Sequence, residues 1–193
     1  MANKIAFFHE KGGVRKSSIA VPYAKYRNIP YYTNDRHYML AQRLLPEGTI
    51  HLLEGELEEP REAVFDLAGA SDRELIKNIF QLIDLWVIPL SPSLMDYIPL
   101  LEVIRDIFEG RQTKFVFIIT GADKKDCIEL KEVLKNDFPQ SEVFLIGNSK
   151  YVMNMLADKK SILDYGDDKG LAKYQTKKIR EQYINAFKYF DKE

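Results

Sequence analysis

Short, uninterrupted apolar runs recur six times along the chain, and a sheet covered on both faces is the arrangement that accepts them all. They are "IAFF" (5–8), "IPYYT" (29–33), "AVFDL" (63–67), "LWVIPL" (85–90), "FVFIIT" (115–120) and "VFLIG" (143–147). A strand with one wet face alternates apolar and polar residues; these runs do not, so they are expected to lie in a parallel sheet buried on both sides. Helical spacing fills the intervals, at about 16–27, 72–82, 93–109, 124–137 and 149–158. The stripe Leu94, Ile98, Leu101, Ile104, Ile107 and Phe108 predicts one apolar helix face. Ser71 with Glu74 three residues on suggests a capping box. Ile179, Tyr183, Ala186, Phe187 and Phe190 predict a C-terminal helix. The acidic stretch 46–61 is expected to be a surface connection holding a short strand at 49–53. Strand–helix alternation over 193 residues implies one doubly wound α/β domain spanning 1–193, its mostly parallel sheet of six to eight strands carrying helices on both faces.

Composition narrows the function classes. A net charge of −1 argues against a protein that coats nucleic acid through its overall charge, while leaving room for a local basic face. Cys127 is the only cysteine, so no disulfide and no cysteine-built metal site forms within the chain. His9, His37 and His51 lie in separate segments without metal-ligand spacing and are expected to be polar surface or loop residues. The N-terminal apolar run is too short for a signal-peptide core and no run approaches a membrane span, so a soluble, intracellular protein is expected.

Residues 9–18, "HEKGGVRKSS", stand between the first run and the first helix. A strand, a glycine-rich turn and then Lys-Ser opening a helix is the context of a phosphate-binding loop of the P-loop NTPase type. Backbone N–H groups and the helix N-terminus face the phosphates, Lys16 reaches the β- and γ-oxygens, and the Ser17 hydroxyl can ligate Mg²⁺. Arg15 stands where glycine is usual. That position needs a close backbone approach and a positive φ, which a side chain resists by roughly 1–2 kcal/mol. Two outcomes follow: a loop that binds ATP weakly or with changed preference, or an empty, remodelled turn.

The pair Lys11 and Lys16 within "KGGVRKSS" resembles the deviant Walker A motif of ParA/MinD-type partition and positioning ATPases, whose pattern is KGGxGK followed by two hydroxyl residues. Arg15 is the single mismatch. The resemblance extends downstream. "TNDRHYM" is similar to the family's first switch, with Asp35 at its second aspartate, Thr33 at its first and His37 at its glutamine. "VFDLAGASD" supplies Asp66 and Gly69 at the strand end and second switch, and Thr120 stands where the family's adenine-reading asparagine would be. "VFLIGNSKYVMNMLADKKSILDY" is similar to the late strand and the loop near the base.

What the resemblance implies is an ATP–Mg²⁺-dependent homodimer acting in plasmid or chromosome partition, cytoplasmic and nucleoid-associated. In it Gly12, Gly13, Val14, Arg15, Lys16, Ser17, Ser18 and Thr120 hold the nucleotide. Ser17 and Asp66 serve the metal. Lys11 reaches across to the other subunit's phosphates, Lys16 neutralises charge and Asp35 positions water. Slow hydrolysis would time release of non-specifically bound DNA and of a centromere-binding adaptor protein. Between Lys169 and Glu193 seven basic residues face three acidic ones. Lys173, Lys177, Lys178 and Arg180 are the candidate DNA contacts, with a solvated helix face as the alternative. Three other roles stay open: a nucleotide-impaired relative working as a binding module, a MinD-like switch at a membrane, and a ligase acting on a small carboxylate.

Overall fold

A computed structural model describes residues 2–54, 58–68, 73–108, 113–121 and 124–193. Seven strands form one sheet: β1 (Lys4–Phe7), β2 (Tyr31–Thr33), β3 (Ile50–Leu52), β4 (Ala63–Asp66), β5 (Leu85–Leu90), β6 (Phe115–Thr120) and β7 (Glu142–Ile146). Their order is β3-β2-β4-β1-β5-β6-β7, and every pairing is parallel. The helices are α1 (Ser17–Arg27), α2 (Met39–Leu44), α3 (Arg73–Ile79), α4 (Leu94–Phe108), α5 (Lys124–Asp137), α6 (Lys150–Met153), α7 (Met155–Asp158), α8 (Leu171–Gln175) and α9 (Lys177–Phe190).

The apolar runs are divided residue by residue between two cores. Ile5, Phe7, Val64, Leu85, Val87, Val116 and Ile118 face a core completed by α1, α2, α7 and α9. Their neighbours Ala6, Phe65, Trp86, Ile88, Phe117 and Ile119 face a second core under α3, α4 and α5. Period-two alternation is therefore present, but both sides are apolar because both sides are covered. The short strand expected at 49–53 forms as β3 and is a sheet edge, paired with β2. The run at 29–33 pairs as a strand only from Tyr31.

Several expectations need correction. In α4 the buried face is Tyr97, Leu100, Val103, Ile104, Ile107 and Phe108, whereas Leu94 and Ile98 are exposed. The buried face therefore runs through Tyr97, Leu100, Ile104 and Ile107, and Ile98 lies on the outer side of the same turns. The expected helix at 149–158 is two short ones hinged at Asn154. The helices α2 and α8 are short, and the sequence pattern did not mark them. Ser71 of the expected capping box, Gly69, and the ends at 72 and 109 of two expected helices lie outside the described residues. Among the described residues no helix is long and apolar enough to cross a membrane.

The C-terminal stripe is fully used: Ile179, Tyr183, Ala186, Phe187 and Phe190 are all buried against the sheet and α1. Tyr183 also repairs a defect in α1. Pro22 lies in the interior of that helix and has no N–H to offer the Ser18 carbonyl one turn back. The Tyr183 hydroxyl donates to that carbonyl at 3.1 Å. Tyr183→Phe should therefore lower unfolding free energy by about 1–3 kcal/mol, the penalty of a buried unsatisfied carbonyl. In a Pro22→Ala background the backbone N–H returns, and urea unfolding should show a smaller loss for the same change.

Candidate functional site

The site lies at the carboxyl ends of β2, β4 and β1, three adjacent strands. The chain leaves β1 toward β2 on one side and crosses from β4 to β5 on the other. A crevice at such a reversal is where open α/β sheets bind ligands. A cleft of about 370 Å³ opens there, lined by Gly12, Gly13, Arg15, Lys16, Ser17, Ser18, Asp35, Asp66 and Ala68.

The loop between β1 and α1 wraps the Lys16 side chain. Its ammonium donates to the carbonyls of His9 (3.2 Å) and Lys11 (3.4 Å). Burial pulls the Lys16 pKa down, while Asp66 and then Asp35 push it back up. Asp66, the last residue of β4, is buried. Burial raises its pKa, and hydrogen bonds from Ser17 and Tyr31, with Lys16 beyond them, oppose that rise. The Tyr31 hydroxyl reaches the Asp66 carboxylate at 2.6 Å. A buried carboxylate and a buried ammonium that feel each other's charge need each other or a ligand.

Asp35 is set by the turn that follows β2. Thr33 Oγ1 accepts from the Asp35 amide at 3.1 Å and donates to the Asp66 carbonyl at 2.8 Å, tying β2's end to β4's. The Asp35 carboxylate accepts from the His37 amide at 2.8 Å. Asn34 Oδ1 accepts from the Ala68 amide at 2.7 Å, linking the two segments beyond the strands.

Gly13 has φ +81° and Arg15 has φ +66°, so the left-handed geometry persists where glycine is absent. The Arg15 side chain leaves the loop and donates from Nη2 to Asn148 Oδ1 at 2.7 Å. Thr120 is buried, and its hydroxyl lies 3.4 Å from both the Val14 and Leu90 carbonyls. Val14 is buried too, so neither residue lines the cleft. Lys11 also stands apart: its ammonium pairs with Asp96 of α4 at 2.7 Å, and Asp96 accepts from Ser91.

The basic residues near the C-terminus are elsewhere. Lys173, Lys177 and Lys178 are exposed on α8 and α9. Arg180 is turned inward, its Nε donating to Thr176 Oγ1 (3.1 Å) and its Nη2 to the Lys173 carbonyl (3.0 Å). Residues the sequence did not single out are Tyr31, Asp96, Gly121 and Asn148. Gly121 and Asn148 follow β6 and β7, which was their available signal; Tyr31 opens β2 and Asp96 lies in the first turn of α4.

The site residues fit a magnesium–nucleotide. Ser17 and Asp66 present a hydroxyl and a carboxylate side by side, Lys16 adds a cation, and the positive-φ turn is kept. His9 is the exception among the expected surface histidines, being only 2% exposed.

No protein-family profile and no curated protein sequence matches the chain. Solved structures do. A plasmid partition protein from Borrelia burgdorferi B31, bound to AMPPNP, is 15% identical with a TM-score of 0.61, covering 98% of this chain and 99% of that one. The septum site-determining protein MinD from Pyrococcus horikoshii OT3, complexed with Mg-ADP, is 10% identical with a TM-score of 0.70, covering 100% and 97%. A ParA family ATPase from Chlorobium tepidum TLS is 14% identical with a TM-score of 0.63, covering 97% and 99%. The chain thus has the α/β fold of ParA and MinD ATPases over its whole length.

His9 makes the site pH-sensitive. Burial, then the neighbouring Lys16, pushes its pKa from 6.5 to about 4. The unfolded chain therefore holds the extra proton between about pH 4 and 6.5, so stability rises with pH across that window and is lost on acidification. The full effect is at most about 3.4 kcal/mol. His9→Asn keeps an acceptor for the Lys11 amide, which now donates to Nδ1 at 2.9 Å. Chemical unfolding of this variant should show a shallower pH dependence over the same window.

Proposed function

We propose that the chain is a ParA-type ATPase of plasmid or chromosome partition, binding ATP with Mg²⁺ in the cleft and dimerising on the nucleotide. The observation that carries this is the gathering of Lys16, Ser17, Asp35 and Asp66 around one cleft at the strand ends, in a chain whose whole length shares the fold of a partition protein solved with AMPPNP. Lys16 would meet the β- and γ-phosphates, and an anion there would relieve the burial that now disfavours its charge. Mg²⁺ held there would supply positive charge that offsets the charge of the phosphates. Ser17 would ligate it, and Asp66 would orient its water shell from a carboxylate already fixed by Tyr31. Asp35, held by its own turn, would position the attacking water.

Lys11 would serve the other subunit's phosphates. Its present partner, Asp96, is on the same chain and the lysine side chain is 58% exposed. Ion pairs of this kind contribute at most about 1 kcal/mol, so an incoming triphosphate would compete well. Slow hydrolysis would then act as the timer for release of DNA and of a centromere-binding adaptor protein, in the cytoplasm at the nucleoid. A related structure is a ParA bound to nonspecific DNA, 10% identical with a TM-score of 0.53 and covering 98% of this chain and 99% of that one. The exposed Lys173, Lys177 and Lys178 are the groups offered for such contact, with Arg180 beside them. A membrane role has less support, because the apolar stripe of α9 is spent on the core. A nucleotide-impaired binding module remains the second form of the same proposal, and Arg15 at φ +66° is what favours it.

Isothermal calorimetry tests the nucleotide half. Mg²⁺-dependent ATP binding is expected, tightening by about tenfold in Arg15→Gly, equivalent to about 1.4 kcal/mol. Absence of heat from both proteins would refute it. For the DNA half, a mobility shift should weaken with salt. Removing the charges of Lys177, Lys178 and Arg180 together should lower affinity by several-fold and flatten that salt slope.

A further inference from the structure

The Arg15 side chain joins three loops at the carboxyl edge of the sheet. Its Nη2 donates to Asn148 Oδ1 at 2.7 Å, and Asn148 Nδ2 donates to the Gly121 carbonyl at 2.8 Å. Asn148 follows β7 and Gly121 follows β6, so the phosphate loop after β1 is tied across to the far half of the sheet. Gly121 makes room for this. It has φ +78°, and a Cβ there would sit 3.1 Å from Asn148 Oδ1 and 3.3 Å from Arg15 Cζ. Arg15 Nη1 is buried beside them and finds no hydrogen-bond partner among the described residues.

This contact separates two clefts. The phosphate cleft, with Arg15 in its wall, is about 370 Å³, near the lower end of the range of about 300–1,000 Å³ for small-molecule sites. Among the described residues its lining is backbone, charge and hydroxyl, with Ala68 the sole apolar side chain, a surface suited to a polyphosphate and not to stacking a base. The second cleft is about 360 Å³ and has Asn148 in its wall, with Gln175, Gln182 and Lys178 also lining it. Arg15 lines the first cleft and Asn148 the second, and the two side chains are joined by the 2.7 Å hydrogen bond.

We propose that Arg15 and Asn148 form a latch that decides which ligand the phosphate cleft accepts: a bare polyphosphate enters with the latch closed, whereas a nucleoside triphosphate must break it to lay its nucleoside toward the second cleft. The proposal rests on the phosphate-binding role given above for Lys16 and Ser17. Apparent nucleotide affinity is then the intrinsic affinity reduced by the fraction of molecules with the latch open, and Arg15 and Asn148 set the selectivity of the site.

The measurement is the ratio of dissociation constants for Mg-ATP and Mg-tripolyphosphate, taken by calorimetry on the full chain. Taking the ratio cancels any change in charge felt by the phosphates of both ligands. Asn148 is exposed, and thermal melting checks that each variant folds. The wild type should bind the two ligands within about tenfold of each other. Asn148→Ala frees Arg15 and should shift the ratio about tenfold in favour of ATP, the effect of no longer displacing one charge-assisted hydrogen bond. Asn148→Asp strengthens the hold on Arg15 and should shift the ratio the other way. A fall in relative ATP affinity in both variants would make Asn148 a direct nucleoside contact and overturn the latch. So would a ratio that moves in neither, or a wild type that prefers ATP by a hundredfold or more. If tripolyphosphate binds to no form of the protein, the phosphate role of the cleft fails first and the latch with it.

Discussion

The buried carboxylate of Asp66 is the constraint around which the site is organised. It ends the strand next to β1, inside a sheet that packs an apolar core against each face. Left alone there, a carboxylate would cost several kcal/mol or give up its charge. Three groups from three segments prevent this: the Tyr31 hydroxyl from β2, the Ser17 hydroxyl from the start of α1 and the Lys16 ammonium from the loop. Meeting Asp66 fixes the register of β2 against β4 and the angle at which α1 leaves the loop. The same meeting brings a cation, a hydroxyl and a carboxylate within one cleft. A cluster that satisfies itself in this way still has capacity, because Lys16 also leans on the two weaker acceptors of the His9 and Lys11 carbonyls.

Rigidity around that cluster comes from the C-terminal helix. Tyr23, Phe187 and Phe190 pack edge to face, with ring centroids 5.0 and 5.3 Å from Tyr23 to the other two. The Tyr23 hydroxyl meets Asp191, which also takes Arg27 at 2.6 Å. With Tyr183 serving the carbonyl that Pro22 leaves open, α9 secures α1 at several points along its length. The N-terminus of α1, where a phosphate would sit, is thus backed by the last helix of the chain. That explains why a basic, amphipathic C-terminal segment belongs to the core on one face even if its lysines serve another purpose.

The sheet was legible because its signal is local. Each run from "IAFF" to "VFLIG" shows its burial in its own residues, and the parallel order follows once both faces must be covered. The loop between β1 and α1 was legible because a glycine-rich stretch ending in Lys16 and Ser17 separates an apolar run from a helical one. What was not legible depends on partners distant in sequence. Asp96 lies 85 residues from Lys11, and Asn148 lies 133 from Arg15. Thr120 ends β6, but its hydroxyl faces the backbone of β5 and the loop, which no spacing within the run could reveal. His9 does lie in a loop, as expected, but it is buried there and its carbonyl accepts from the Lys16 ammonium. Leu94 and Ile98 show the opposite error: they were placed on the apolar stripe, but the buried face of α4 runs through Tyr97, Leu100 and Val103 and leaves both exposed.

Arg15 shows how far the loop's shape depends on its surroundings. The left-handed backbone at that position is disfavoured for any L side chain by about 1–2 kcal/mol, yet the chain adopts it at φ +66°. Residue preference therefore does not set this turn. It is set by β1 on one side, α1 on the other, and the Lys16 side chain folded through its middle. Given that backbone, an arginine side chain must leave toward β6 and β7. It is accommodated because residue 121 is a glycine and because the loop after β7 offers a carboxamide oxygen. Those two features offset the strain by supplying space and a charge-assisted hydrogen bond. An arginine placed in the same turn without Gly121 and Asn148 would have neither, and the loop would have to open. The substitution at position 15 is thus one member of a three-residue arrangement, and the geometry expected of a glycine survives because the other two members hold it.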